Sequence, residues 1–205
     1  MCTKDTINEL KPKVEKYLSL ALQTINELET IPYGKNLLDG LNDFIKRGGK
    51  RLRPILFIVG YKAVKKTPTE DVFKASITTE LMHNFMLIHD DIIDRDETRR
   101  GGPTFHKLAS NWLQDNHYGI AFGIMAGDIL NTLAVWNVLN INIDDETKIK
   151  ILKELINAEI KCLYGEFFDT VLAKMDSFEE EDIMRVMELK TASYTVEAPL
   201  VSGAI

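Results

Sequence analysis

Apolar residues recur at three- and four-residue steps through most of the chain. Between positions 5 and 29, Ile7, Leu10, Val14, Tyr17, Leu18, Leu22, Ile25 and Leu28 keep that spacing, which lines one face of an amphipathic helix. Pro32 and Gly34 end it. A second helix is predicted from Lys35 to Lys46, closed by Gly48-Gly49. Pro54 falls in the first turn of a third, which runs to about Lys65. Thr69-Glu70-Asp71 opens a long fourth helix reaching about Asp96, and Gly101-Gly102-Pro103 marks a loop. Further helices are expected over 105–115, 117–140, 145–173 and 179–200, with breaks from Asn140 to Asp145 and at Asp176-Ser177. No linker or repeat divides the chain, so the pattern predicts one all-α domain of packed helices over 1–205.

Composition narrows the class. The 205 residues suffice for a real core, and only 12 Gly and 6 Pro argue against a strand-rich fold. A net charge of −6 excludes indiscriminate nucleic-acid binding, which needs a basic footprint. Cys2 and Cys162 make no metal spacing and no disulfide framework. The first residues hold no apolar signal segment, and runs such as Ile55 to Val59 are too short to span a bilayer. A cytoplasmic protein without stable membrane insertion is expected.

The densest chemistry lies in His89-Asp90-Asp91-Ile92-Ile93-Asp94-Arg95-Asp96. Asp90 and Asp94 are four apart, and Asp91 and Asp94 three apart, so a helix would set these carboxylates on one face. Their mutual repulsion calls for a cation, and hard oxygen donors suit Mg²⁺, which shares its shell with substrate phosphates. A lone DDxxD is as often a solvated acidic face. Here Leu81-Met82-His83-Asn84-Phe85-Met86-Leu87-Ile88 precedes it, and an apolar helix ending in carboxylates reads as a pocket wall with a metal at its mouth.

Two basic segments flank it. Gly48-Gly49-Lys50-Arg51-Leu52-Arg53-Pro54 puts three cations at a helix start, where the helix dipole is already positive; an anionic ligand resolves that conflict better than solubility does. Arg99-Arg100 follow the aspartates. As surface salt bridges they would contribute about 0–1 kcal/mol; as phosphate clamps they have a purpose. Together the clusters describe a site for a magnesium-bound, multiply anionic ligand with an apolar tail.

GGKRLRP at 48–54, HNFMLIHDDIIDRDETRRGGPT at 83–104 and KTASY at 190–194 resemble the trans-isoprenyl (polyprenyl) diphosphate synthases, closest in pattern to short-chain archaeal-type geranylgeranyl diphosphate synthases. The resemblance implies an isoprenoid-synthase-type helical bundle and a magnesium-dependent prenyltransferase that condenses isopentenyl diphosphate with an allylic diphosphate. It implies that Asp90 and Asp94 ligate magnesium with Asp91 in support. Arg99 would clamp the allylic diphosphate, and Lys50, Arg53, His83 and Arg100 would hold isopentenyl diphosphate. Lys190 and Thr191 would sit at the allylic diphosphate and the nascent cation, with Tyr194 nearby. Gly165-Glu166-Phe167-Phe168-Asp169 stands where the family has Gly-Gln-x-x-Asp; Glu166 departs from it, and Asp169 fits a metal-water partner.

Met82, Phe85 and Met86 read as core on periodicity alone; the resemblance makes them the floor that limits product length. Phe85 is aromatic and Met86 is not, so a C20 product is favoured over C15. Family members also carry a second aspartate-rich motif, which is not found in these 205 residues. A C-terminally incomplete member, truncated before that motif, is the expectation. The alternative is a catalytically incomplete or regulatory subunit of a heteromeric synthase. A class I cyclase shares the DDxxD but has no use for Lys50, Arg53 and Arg100. A homodimer joined through helices near 117–140 is expected.

Overall fold

The structure is a computed structural model and describes residues 4–205; the reading of Cys2 falls outside them. It is all-α, with the helices α1 (Lys4–Gln23), α2 (Gly34–Lys46), α3 (Leu52–Val64), α4 (Glu70–Ile93), α5 (Phe105–Leu113), α6 (Asn116–Leu139), α7 (Asp145–Leu172), α8 (Glu180–Met187) and α9 (Ala198–Ala204). α4 is the central post. Phe73, Ile77, Leu81, Met82, Phe85 and Ile88 bury its length, and α1, α3 and α6 pack around it.

Four departures from the sequence pattern have local causes. The first helix stops at Gln23, not near 29, because the Thr24 hydroxyl donates to the Ala21 carbonyl (2.7 Å) and tightens the chain into a 3-10 turn over Asn26–Thr30. α4 ends at Ile93, three residues short of Asp96. Arg95 turns left-handed (φ 60°), and its amide and that of Asp96 close on Ile92 and Asp91. The loop at 101–103 belongs to a small ribbon, β1 (Thr98–Arg99) against β2 (Gly102–Pro103). Arg100 (φ 52°) and Gly101 (φ 77°) form its two-residue turn, the positive-φ pair that matches strand twist.

The helix expected over 179–200 is three pieces: α8, a π-helical stretch over Glu188–Glu197, and α9. Wide turns of this kind cluster at functional sites, and this one carries Lys190, Thr191 and Tyr194.

α6 is long and apolar enough, by length and composition, to cross a membrane, although its unbroken aliphatic runs are short. Its Gly119, Gly123, Ala126, Gly127, Leu130 and Ala134 are buried, and α4 and α5 pack on it. Ile120, Ile124, Met125, Trp136 and Leu139 remain exposed on its other side.

Candidate active site

Asp90, Asp91 and Asp94 occupy the last turn and C-cap of α4, and no basic residue shares that turn. The helix dipole is negative there, so three carboxylates add to the field they should oppose. Burial first, then repulsion from Glu166 and Asp94, pushes the Asp90 carboxyl up to about 6. Burial also pushes Asp91 up to about 6, against the pull of Arg99. Asp94 is raised by burial and by Glu166.

Arg99, at the end of β1, spans the cluster. It bonds Asp91 through Nε, and its Nη2 lies 3.4 Å from Asp90 and 3.1 Å from Asp96. Asp91 is fully buried, and its Oδ2 has no partner among the described residues. No three carboxylate, imidazole or thiol groups among the described residues converge closely enough to hold an ion unaided. A magnesium ion fits this donor set only by completing its shell with phosphate oxygens and water, which is its common habit.

The three cations of 50–53 do not act alike. Arg51 is buried as the N-cap of α3. Its Nε lies 2.8 Å from Glu15 and its Nη1 2.6 Å from Glu80, and Nη2 donates to the Ile45 carbonyl (2.6 Å). Burial works against its charge, but the two glutamates hold its pKa above the ordinary arginine value. It is a structural tie, not the free ligand cation that the grouped reading expected.

Lys50 stays exposed. Arg53 lies over the Tyr194 ring (4.9 Å) and donates to the Thr195 hydroxyl (2.6 Å). Gly48 and Gly49 (φ 108° and 131°) turn the chain into this start, a backbone few other residues adopt. The Arg100 guanidinium lies over Gly49, 3.3 Å from where a Cβ would stand, so the two basic segments meet.

Arg53 Nε and Arg100 Nη1 are buried without acceptors among the described residues. His83 is in the same field. Burial first, and then Arg53 and Arg100, hold its imidazole well below its ordinary value. Buried guanidinium donors without protein acceptors suit an anion.

Lys190, on the π stretch, closes the other side. Its Nζ is 2.7 Å from Glu166 and 2.7 Å from Asp169 on α7. Burial works against its charge, but the two carboxylates raise its pKa above the ordinary lysine value. Gly165 makes the approach possible, since a Cβ there would stand 2.8 Å from Lys190 Cγ. Thr191 is exposed nearby.

Further along α4, Met82 and Phe85 are buried, and Met86 packs on the core. The Phe85 ring meets His89 edge to face at 4.7 Å, and His89 Nε2 lies 3.1 Å from the Ile124 carbonyl.

Three participants had escaped the sequence reading. Arg47 Nη1 donates to the Pro103 carbonyl (2.6 Å) and steadies the ribbon that carries Arg99 and Arg100. Thr195 anchors Arg53. Glu80 is the buried half of the Arg51 tie. A polar residue inside an apolar helix was the available signal for Glu80; the other two had none.

An all-α bundle that brings the carboxylates at the end of α4 together with the cations before and within α3 is the class that the fold and these residues define. The family model for Polyprenyl synthetase matches residues 35–205, and the chain belongs to that family. It is 35% identical over 188 residues to a "Short chain isoprenyl diphosphate synthase" of Methanocaldococcus jannaschii, covering 90% of this chain and 53% of the relative. It is 30% identical over 172 residues to a "Geranylgeranyl pyrophosphate synthase" of Geoglobus acetivorans, covering 84% and 51%. The chain thus spans about half the length of these relatives.

Among solved structures it resembles geranylgeranyl pyrophosphate synthase from Corynebacterium glutamicum, complexed with isoprenyl diphosphate and magnesium (TM-score 0.84, 26% identity, 97% of this chain and 58% of that one). It also resembles geranylgeranyl pyrophosphate synthetase from Pyrococcus horikoshii (TM-score 0.76, 30% identity, 96% and 57%).

Proposed function

We propose that this chain takes part in a magnesium-dependent prenyl transfer, condensing isopentenyl diphosphate with an allylic diphosphate. One observation carries the reading: two helix ends at one mouth bear charge of the wrong sign for their dipoles, carboxylates at the end of α4 and cations at the start of α3. A metal-bridged diphosphate relieves both at once.

In this reading Asp90 and Asp94, supported by Asp91, hold magnesium. When bound, the ion supplies Lewis acidity to the departing diphosphate. Arg99 and Lys190 stabilise the charge that grows on that diphosphate as the allylic carbon–oxygen bond breaks. Thr191 lies beside the resulting cation. Lys50, Arg53, His83 and Arg100 place isopentenyl diphosphate so that its double bond meets that cation. The proton then lost goes to the released diphosphate. The apolar wall from Met82 to Ile88 keeps water away from the cation. Phe85, buttressed by His89, sets the floor with Met82 and Met86, and this favours a C20 over a C15 product.

The exposed apolar side of α6 borders an open groove of about 880 Å³, lined by Leu28, Ile31, Ile129 and Trp136 among others. A second copy of the chain is the partner we assign to that face.

The test is condensation of labelled isopentenyl diphosphate with C5, C10 and C15 allylic primers, with and without magnesium, read by product length. Magnesium-dependent product supports the reading, and a C20 end point supports the Phe85 floor. The absence of both product and magnesium-dependent diphosphate binding overturns it.

A further inference from the structure

Glu166 is an acidic departure from the Gly-Gln-x-x-Asp pattern, and the structure gives it a partner. Its carboxylate lies 2.7 Å from Lys190 Nζ, while Asp169 takes a second donor of the same ammonium at 2.7 Å. Glu166 is the better shielded of the two, its side chain 17% exposed against 49% for Asp169, so less water screens its pair. The contact of Gly165 with the Lys190 stem fixes the seat.

A glutamine here would still accept a hydrogen bond from Lys190 but would not pair with its charge. We propose that Glu166 is a positioning residue that holds Lys190 back, so that a diphosphate must displace a carboxylate to engage the lysine. The inference rests on the proposed function, which makes diphosphate the ligand of Lys190.

The experiment is calorimetric titration of inorganic diphosphate with magnesium into the wild type, Glu166→Gln, Lys190→Met and the double variant, at low and high salt. Circular dichroism checks each fold. Glu166→Gln is expected to bind on the order of fivefold more tightly at low salt, the scale of one partly exposed ion pair. The gain should shrink at high salt and vanish in the Lys190→Met background, neither of which a merely structural role would produce. Equal or weaker binding by Glu166→Gln, or a gain that survives Lys190→Met, overturns the inference alone. No magnesium-dependent binding by any of the four overturns the proposed function as well. Should Glu166→Gln not fold, Glu166→Asp withdraws the carboxylate by one methylene. Tighter binding would then support the inference, and an unchanged Kd would overturn it.

Discussion

The helix ends far from the mouth and the helix ends at the mouth follow opposite rules. At the starts of α6 and α7, Asp115 accepts from the amides of His117 (2.8 Å) and Tyr118 (3.2 Å), and Asp144 from that of Thr147 (2.9 Å). Glu179 and Asp182 close a capping box on α8. Negative groups meet positive helix ends there, and the Thr147 bond holds the Asp144 carboxyl below its ordinary value. At the mouth, Lys50 and Arg53 stand at the start of α3, α4 ends in aspartates, and the carboxyls of Asp90 and Asp91 rise to about 6. The first set of ends stabilises the fold. The second costs stability, a cost that the proposed function assigns to a ligand of the complementary charges.

The comparison breaks most sharply inside the mouth itself. Arg51→Leu leaves Glu80 buried without its counter-ion and should cost about 3–5 kcal/mol in urea unfolding. Its neighbour Lys50, exposed, should change stability by no more than about 0.5 kcal/mol as Lys50→Met, while weakening diphosphate binding. Next in size is Lys190→Ala or Asp94→Ala. Each should lower kcat for condensation by on the order of 10²–10³, with the melting temperature nearly unchanged.

Asp90→Asn should do the reverse for stability. The carboxyl sits at about 6 in the fold against an ordinary 3.8, so the native state binds the proton more tightly than the unfolded chain, and wild-type stability falls as pH rises through that window. The variant escapes this loss. Its gain, on the order of 1–2 kcal/mol after screening, should be full above pH 6 and gone below about pH 4, as read by denaturation across pH. The smallest effect sharpens the other side: Asp115→Ala removes an ordinary cap and should cost about 1 kcal/mol in thermal unfolding, leaving diphosphate binding untouched.

Local rules made much of this legible. The apolar period marked the helices, and proline, glycine and capping residues placed most of their ends, because those signals act within a turn or two. The aspartates and the basic segments stood out because their charges conflict with helix ends, a conflict visible in sequence. What stayed hidden depends on distance. Arg51 looks like Lys50 and Arg53 until Glu15 and Glu80, 36 and 29 residues away, are brought to it by packing. Glu166 meets Lys190 across a helix pair. The π stretch was unreadable because, over ten residues, its apolar spacing does not differ enough from that of an α-helix.

That stretch sets the rotational phase of everything after it. In α9 the Leu200 carbonyl sits where a Cβ on Gly60 would fall (2.1 Å), and Gly203 abuts the Phe57 carbonyl in the same way (1.8 Å). This close meshing with α3 has one correct angle. Inserting a single residue at the head of α9 would turn the rest of that helix by about 100°, withdrawing Gly203 from Phe57 and the Leu200 carbonyl from Gly60. The lysine at the mouth and the α3–α9 seam therefore share one register, and a change in length between them is felt as a twist at the seam.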